Sequence, residues 1–467
     1  METGMIVMKF GGSSVANAER IRHVAGIIRK FADRRPIVVL SAMGDTTDDL
    51  LEAAEAALAG KVTIDAVEQL HKKTAAELHI SAEDIDPLLG ELRTLLTGIS
   101  MLKEVTPRSR DYLVSFGERL SVRLMSAYLN SISVRAEFRD AWDVGFISDS
   151  SYTNADLLPE TWENIRNRLG AYAGGKPGDG KPMPIVTGFI ARDQKGFITT
   201  LGRGGSDLTA TLLGAALRAQ EVQTWKDVDG ILTTDPRIVK DARTVPVATY
   251  DEVAELAYFG AQVLHPRSMQ PCLQTGTPVR VKNSYNIEAP GSIIVTSHET
   301  KPSPVRAITT KKNVTLIDIV STRMLGQYGF LAKVFESFAQ HEISVDVVAT
   351  SEVSISLTVD GKKLNFAACR HDLEKYASIE VKKEKAIVTI ICDVMRSSSI
   401  LAATFDALAE ENINVQMISQ GASKVNISMI CESDEADRVV QVLHERYFGK
   451  DGLCELCGGI SASGGNV

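Results

Sequence analysis

Residues 5–41 read MIVMKFGGSSVANAERIRHVAGIIRKFADRRPIVVLS, and the fold is decided here. Residues 5–10 are a short apolar run that breaks at Gly11-Gly12-Ser13-Ser14. Residues 17–31 follow with Ile21, Val24, Ile27 and Ile28 at helical spacing on one face. Residues 36–41 (PIVVLS) are a continuous apolar run, the pattern of a strand buried on both faces. Strands separated by helices predict a largely parallel sheet covered on both sides.

Further along, residues 50–130 are helical in pattern almost throughout, from LLEAAEAALAG to SFGERLSVRLMSAYLNS. Strand–helix alternation returns with PIVTGFIA (184–191), LTATLLGAALRAQ (208–220) and VQTWKDVDGILTTDP (222–236). AELAYFGAQVLHP (254–266) reads as a helix up to Pro266. PVRVKNS (278–284) and SIIVTS (292–297) are the last strands of this part, and the polar bridge HETKPSPVR marks a domain boundary.

The remainder repeats itself. FLAKVFESFAQHEISVDVVATSEVSISLTV (330–359) matches ILAATFDALAEENINVQMISQGASKVNISMI (400–430), with apolar pairs Leu331/Leu401, Phe335/Phe405, Ile343/Ile413, Val345/Val415 and Ile355/Ile427. An apolar strand precedes each copy (313–320, 385–394), and HDLEKYA (371–377) or ADRVVQVLHERY supplies a following helix. That is a βαββαβ, ferredoxin-like unit occurring twice.

The chain has 467 residues, enough for two to four domains. Apolar residues make up 44% and the net charge is −8, which argues against nucleic acid or an anionic membrane as partner. The N-terminus shows no secretory pattern and no apolar run is long enough to span a membrane. The six cysteines are thinly scattered, so a cytoplasmic location with reduced thiols is expected; a plastid form lacking its transit peptide would read the same way. Cys454 and Cys457 lack the second ligand pair of a zinc site, and the tail from 450 reads as flexible.

Four motifs carry chemistry. In the first, Gly11, Gly12 and Ser13 let backbone N–H groups approach phosphate oxygens, and Lys9 adds a mobile charge; it is not a Walker loop. In the second, residues 200–207 (TLGRGGSD), glycines flank Arg203, whose guanidinium can bind a carboxylate through two parallel bonds. Ser206 or Asp207 could instead cap the helix that follows. In the third, residues 225–237 (WKDVDGILTTDPR), Lys226 and Arg237 suit a nucleotide cradle, whereas Asp229-Gly230 alone would be a plain turn. In the fourth, residues 115–119 (SFGER), Glu118 either caps the start of a helix or holds a substrate ammonium.

Together these residues resemble the aspartate kinase family over nearly the whole chain. The resemblance rests on KFGGSSVAN, VLSAMGDTTDDL, SFGERLS, TGFIA, TTLGRGGSDLTA, DVDGILTTDPR and YFGAQVLHPRSM in that order, then GFLAKVF and SVDVVATSEVS. WKDVDGIL, FGAQVLHP and PVRVKNSYN look closest to the monofunctional, lysine-sensitive enzymes of plants and some bacteria, with no homoserine dehydrogenase unit expected. The resemblance implies a three-layer αβα amino acid kinase fold over residues 1–297, then two ACT domains. The first ACT domain would occupy 313–384, inserted into a second whose opening strand lies near 305–310 and which resumes over 385–449.

The resemblance also assigns residues. Lys9, Arg203 and Asp207 match catalytic positions. Thr47, Glu118, Phe189, Arg203, Gly204, Gly205, Ser206 and Asp207 match aspartate-binding positions. Lys9, Gly11, Gly12, Ser13, Ser41, Lys226, Asp227, Leu232, Arg237, Gln262 and Val263 match nucleotide-contacting ones, with Mg²⁺ carried by ATP and no metal ligand assigned to the protein. Effector positions are Met324, Gln327, Gly329, Phe330, Leu331, Ser344, Val345, Asp346, Thr350, Ser351, Glu352 and Val353. Lysine is the expected effector, with S-adenosylmethionine a further candidate, and the assembly is a dimer through the ACT domains or a tetramer. Gln262 stands where several bacterial members carry lysine, and Lys226 where they carry a small hydroxyl residue. Two other readings stand beside this one: a kinase for another carboxylate on the same fold, and a catalytically dead amino-acid sensor.

Overall fold

The computed structural model describes residues 4–176, 178–259, 264–297, 304–321, 329–361, 366–421 and 425–449. Gln262, Val263, Met324, Gln327, Cys454 and Cys457 lie outside these, as do most of the 298–306 bridge and the tail. The chain divides into two compact units. The first comprises Met1–Ile231, Pro246–Tyr250 and Leu264–His298; the second comprises Leu232–Val245, Asp251–Val263 and Glu299–Val467. The segments 232–245 and 251–263, read from sequence as part of the kinase domain, therefore group with the repeats.

The chain runs through β1 (Ile6–Phe10), α1 (Ala18–Lys30), β2 (Ile37–Leu40), α2 (Thr46–Leu58), α3 (Asp65–Glu77), α4 (Asp86–Leu102) and α5 (Pro107–Ser131). Next come β3 (Ala136–Arg139), β4 (Ile147–Ser148), α6 (Glu160–Ala173), β5 (Met183–Thr187), β6 (Ile190–Asp193), β7 (Ile198–Thr200), α7 (Gly205–Ala216) and β8 (Glu221–Lys226). Then follow β9 (Val247–Thr249), α8 (Tyr250–Tyr258), α9 (Pro266–Thr275), β10 (Val279–Asn283) and β11 (Ser292–Val295).

The first unit is built on an eight-stranded sheet in the order β3-β5-β2-β1-β8-β10-β11-β9. It is parallel from β3 to β10, and β11 turns antiparallel against β10. Ile6, Met8, Phe10, Val38, Leu40 and Ile185 share one core with α1, α2, α4 and α5. The alternate residues Val7, Val39 and Val186 are equally buried, and α7 packs on β1, so both faces are covered. The continuous apolar strands of the sequence follow from this. Helix starts obey local chemistry: the Asn17 side chain accepts from the Arg20 N–H at 3.0 Å, and Thr106 accepts from the Ser109 N–H at 3.1 Å ahead of Pro107.

The helix read over 254–266 ends at Tyr258. His265 is extended (φ −70°, ψ 131°) and caps a new helix, α9, with Pro266 in its first turn. A residue before proline is pushed out of the helical region, so the extended His265 and the fresh start of α9 follow from the sequence His265-Pro266.

The second unit contains β12 (Val305–Val320), α10 (Phe330–Gln340), β13 (Val345–Thr350), β14 (Ser354–Asp360) and α11 (Phe366–Leu373). β15 (Ser378–Cys392), α12 (Ser397–Glu410), β16 (Met417–Ser419), β17 (Asn426–Glu432) and α13 (Ala436–Phe448) complete it. Its six strands form one sheet, β13-β14-β12-β15-β17-β16. β12 serves both repeats: residues 305–312 pair with 386–392, and residues 314–320 pair with the earlier part of β15 and with β14. The register breaks across Asn313, whose φ is +60°, and again between Val314 and Leu316. Each repeat keeps its own core, Ile317 and Ile319 with Val334 and Phe338 in one, Val388 and Ile390 with Ile400 and Leu443 in the other. α11 lies earlier than the 371–377 expected, because Phe366, Cys369 and Leu373 are the side chains that reach the first core.

Among the described residues no helix is long and apolar enough to cross a membrane.

Candidate active site

The first unit has a cleft of about 450 Å³ lined by Lys9, Gly12, Ser41, Ala42, Gly44, Thr47, Glu118, Phe189 and residues 202–207. Its parts come from the C-terminal ends of parallel strands, where ligand crevices form in open α/β sheets. β1 delivers Lys9 and the glycine turn, β2 delivers Ser41, and the start of α7 delivers Ser206 and Asp207.

Lys9 Nζ lies 2.7 Å from Asp207 Oδ1, with both side chains nearly buried. Asp207 thus holds the ammonium in place and does not cap α7. Ser206 does not cap it either: its hydroxyl accepts from Ser41 at 3.0 Å, and the N-cap residue is Gly204 at φ +75°, without a side-chain bond. A methyl group on Gly12 would sit 2.6 Å from the Ala42 carbonyl, so the turn closes only because this residue is glycine.

Glu118 departs from the sequence reading of its place. It lies in the middle of α5, not at a helix start, so the capping alternative falls. Its side chain is buried; Oε1 accepts from the Ala42 N–H at 3.2 Å and Oε2 has no partner. Burial raises the carboxyl from its ordinary value to about 8, opposed by the Ala42 N–H and by the backbone of Glu118 itself. Phe189 adopts φ +67°, a conformation that costs a bulky residue energy, and its carbonyl accepts from the Leu201 N–H at 2.8 Å. Arg203 is exposed on the rim, with no hydrogen-bond or ion-pair partner among the described residues.

Lys226 ends β8, one residue beyond the Phe10–Trp225 pairing, and so faces the same turn as Lys9. Burial lowers its ammonium below the usual lysine value; Asp207 opposes this and Lys9 reinforces it. Lys9, Lys226 and Asp207 therefore interact beside the cleft, and Asp227 adds a second carboxylate acting on Lys226.

A sequence model of the amino acid kinase family matches residues 4–283, and one of the ACT domain matches residues 317–370 and 388–447. The chloroplastic aspartokinase 1 of Arabidopsis thaliana is 52% identical over 466 residues, covering 96% of this chain and 81% of that protein. The chain belongs to the aspartokinase family. The crystal structure of Escherichia coli aspartokinase III in complex with aspartate and ADP superposes with a TM-score of 0.76 at 33% identity, covering 95% of this chain and 100% of that one. The same enzyme in complex with lysine and aspartate, in its T-state, gives 0.76 at 32% identity over 95% and 99%.

Most sequence-predicted residues of this aspartokinase meet in the one cleft: Lys9, Gly12, Ser41, Thr47, Glu118, Phe189 and residues 203–207. Gly11 and Ser13 flank the turn beside it. Asp227 is exposed just past Lys226. Leu232 and Arg237 belong to the second unit, where the exposed Arg237 pairs with Asp235 at 2.6 Å. Sequence reasoning missed Ala42 and Gly44, although both stand in the quoted VLSAMGD run. It also missed His265, whose Cβ would lie 2.7 Å from a methyl on Gly204.

The described residues expected to meet an effector lie in the first ACT repeat. Gly329 (φ +83°) caps α10, Phe330 and Leu331 open it, Ser344 precedes β13, Val345, Asp346 and Thr350 lie on β13, and Ser351, Glu352 and Val353 form the turn to β14. Glu352 is exposed. The Asp346 side chain is only 5% exposed; it pairs with Lys311 at 2.8 Å and accepts from the Tyr258 hydroxyl at 3.2 Å.

Proposed function

We propose that this aspartokinase transfers the terminal phosphoryl group of ATP to the side-chain carboxylate of L-aspartate in the Lys9–Glu118–Arg203 cleft, and that a cationic amino acid, lysine, inhibits it through the first ACT repeat. The observation that carries the first part is the convergence of Lys9 paired to Asp207, the partnerless Oε2 of Glu118 and the guanidinium of Arg203 on one cavity.

The aspartate side chain ionises near pH 3.9 in water, so no general base is needed to form the nucleophile. A carboxylate oxygen bonds to the terminal phosphorus while the bond to the ADP oxygen breaks, and ADP keeps the electron pair. The protein's part is alignment and charge neutralisation. Arg203 clamps the α-carboxylate, Glu118 takes the ammonium, and Lys9, oriented by Asp207, meets the charge of the transferring group. Lys226 adds a second cation near the phosphates, standing in for the lysine that Gln262 replaces. The product, 4-phospho-L-aspartate, is an acyl phosphate, so exclusion of water from the cleft matters.

Among the described residues no group of three or more His, Cys, Asp or Glu could hold a metal ion, and the one carboxylate beside Lys9 is already paired. Mg²⁺ would come on the phosphates of ATP, where it would neutralise their charge. Cys272, Cys369, Cys392 and Cys431 are buried free thiols, which fits a reducing compartment such as the cytoplasm.

For regulation, the buried Asp346 gives the first repeat an acidic group on the effector strand. The aligned Gln416 of the second repeat is neutral. An effector ammonium has the same chemistry as that of Lys311 and would compete for the carboxylate, disturbing its bond to Tyr258 at the end of α8. A subunit pairing through these ACT sheets would bring two such strands together.

ATP consumption measured with aspartate, glutamate and no acceptor, with and without lysine, tests the reading. Turnover with aspartate alone, reduced by lysine, is expected. Equal turnover with glutamate means another carboxylate kinase, and no turnover means a sensor.

A further inference from the structure

Residues 202–204 form a bend with two glycines in the left-handed region, Gly202 at φ +69° and Gly204 at φ +75°, on either side of Arg203. Such a bend has little stiffness of its own, because glycine loses the most freedom when fixed. Something outside it must hold Arg203 at the cleft. The Gly204 side rests on His265. The Gly202 side lies against Asn154, and that contact is organised by a residue inside the YFGAQVLHPRSM run to which the sequence assigned no role.

We infer that Arg267 is the positioning residue of the aspartate site, a conclusion that rests on the reading of Arg203 as the α-carboxylate clamp. Arg267 stands in the first turn of α9. Its Nη1 donates to Asn154 Oδ1 at 2.8 Å and to the Leu201 carbonyl at 3.1 Å. Its Nη2 donates to the Ala155 carbonyl at 2.9 Å and to Asp156. Leu201 is the last residue before the bend, so the guanidinium fixes the point from which Arg203 departs. The same segment is tied from the other side: Ala155 N–H donates to the Thr200 carbonyl at 2.8 Å, and buried Asp111 accepts from the N–H groups of Thr153 and Thr200, each at 2.9 Å.

The carbonyl bonds matter more than the ion pair. Asp156 is 79% exposed and Arg267 29%, so their pairing is screened by water. Leu201 and Ala155 offer two carbonyls on different strands of chain, and only a planar fork can bridge both while also reaching Asn154. Lysine has the charge without the fork.

Steady-state kinetics on the full chain test this with Arg267→Met, Arg267→Lys, Arg203→Ala and the Arg267→Met/Arg203→Ala double variant. Arg267→Met should raise the KM for aspartate about tenfold or more, with kcat and the KM for ATP within about twofold of normal. Arg267→Lys should not rescue it, and it supplies the reading if the methionine variant fails to fold. In the Arg203→Ala background, Arg267→Met should change the aspartate KM by less than about twofold, because its effect passes through Arg203. Additive effects would overturn the inference, as would parallel loss of kcat and both KM values together with a lower melting temperature, which marks a merely structural role. A normal aspartate KM in Arg267→Met, beside a raised one in Arg203→Ala, overturns the inference and leaves the clamp standing. A normal aspartate KM in Arg203→Ala removes the clamp itself.

Discussion

Glu118→Gln should decouple aspartate binding from pH. In the free cleft the Glu118 carboxyl ionises at about 8, because it is buried in mid-helix with Oε2 unbonded. A carboxylate is needed to take the substrate ammonium, so the proton must leave when aspartate binds. At pH 6 roughly one site in a hundred is ionised, and at pH 8 about half, so aspartate affinity should rise roughly 50-fold across that interval. At pH 7 binding should release about 0.9 proton per site. Calorimetric titration with aspartate in buffers of different ionisation enthalpy counts that proton directly. In Glu118→Gln the release should vanish, the pH slope should flatten and affinity should be weak throughout. The same group acts on stability with the opposite benefit. Between the unfolded value of 4.5 and the folded value of about 8, the native state holds a proton that the unfolded chain has lost, so stability falls as pH rises. The span amounts to about 5 kcal/mol. The glutamine variant should therefore melt at a higher temperature than the parent at pH 8 and at a similar one near pH 5. Proton release below about 0.2 per site at pH 7 in the parent would refute the argument.

Three further outcomes follow from the same geometry. Lys9→Ala should lower kcat by about 10²–10³ with a smaller change in ATP affinity, the usual scale for one preorganised charge; retention of half the parent turnover would return Lys9 to the status of a surface lysine. Lys226→Thr should impair turnover, and adding Gln262→Lys should partly restore it; strict additivity in the double-mutant cycle would mean that the exchange is drift. Asp346→Ala should raise the lysine concentration for half-inhibition at least tenfold, a loss of ~1.4 kcal/mol of coupling; full lysine sensitivity in that variant, or inhibition of the parent by threonine and not lysine, would sink the effector assignment.

What the sequence made legible was whatever local pattern controls. The strand, glycine turn and helix of residues 5–41, and the doubled helix–turn–strand text of 330–359 and 400–430, needed only periodicity and repetition, and both carry through to β1–α1–β2 and the six-stranded sheet. Cleft residues within quoted motifs, Lys9, Arg203 and Asp207, were equally visible. What stayed hidden depends on long-range partners. SFGER gave no sign that Glu118 sits in mid-helix, because the preceding turns of α5 carry polar residues that look like a loop. The partners of Asp346 within the chain stayed hidden because Lys311 and Tyr258 are 35 and 88 residues away in sequence. Phe189 has no sequence mark for its positive φ. The break before α9 was legible in His265-Pro266 but yielded to the apolar periodicity of 254–264.

The charge pattern explains how an acidic chain accepts two anions. The net charge is −8, yet this end of the sheet carries Lys9, Lys226 and Arg203 against Asp207 and the exposed Asp227, as long as Glu118 keeps its proton. Lys226, already pushed toward deprotonation by burial and by Lys9, is favoured by any arriving phosphate, which raises its proton affinity again. Aspartate then brings two carboxylates and one ammonium. Were Glu118 ionised beforehand, its charge would oppose the approach of both anions across a poorly solvated gap. Keeping it neutral until the ammonium arrives means that the cleft shows its negative group only to a ligand that can pair with it. A dicarboxylate without an α-amino group leaves Glu118 protonated and gains no ion pair there. On the proposed roles of these two residues, discrimination for an amino acid over a plain dicarboxylic acid would come from burial of one helix residue, and Arg203 would supply the complementary test for the α-carboxylate.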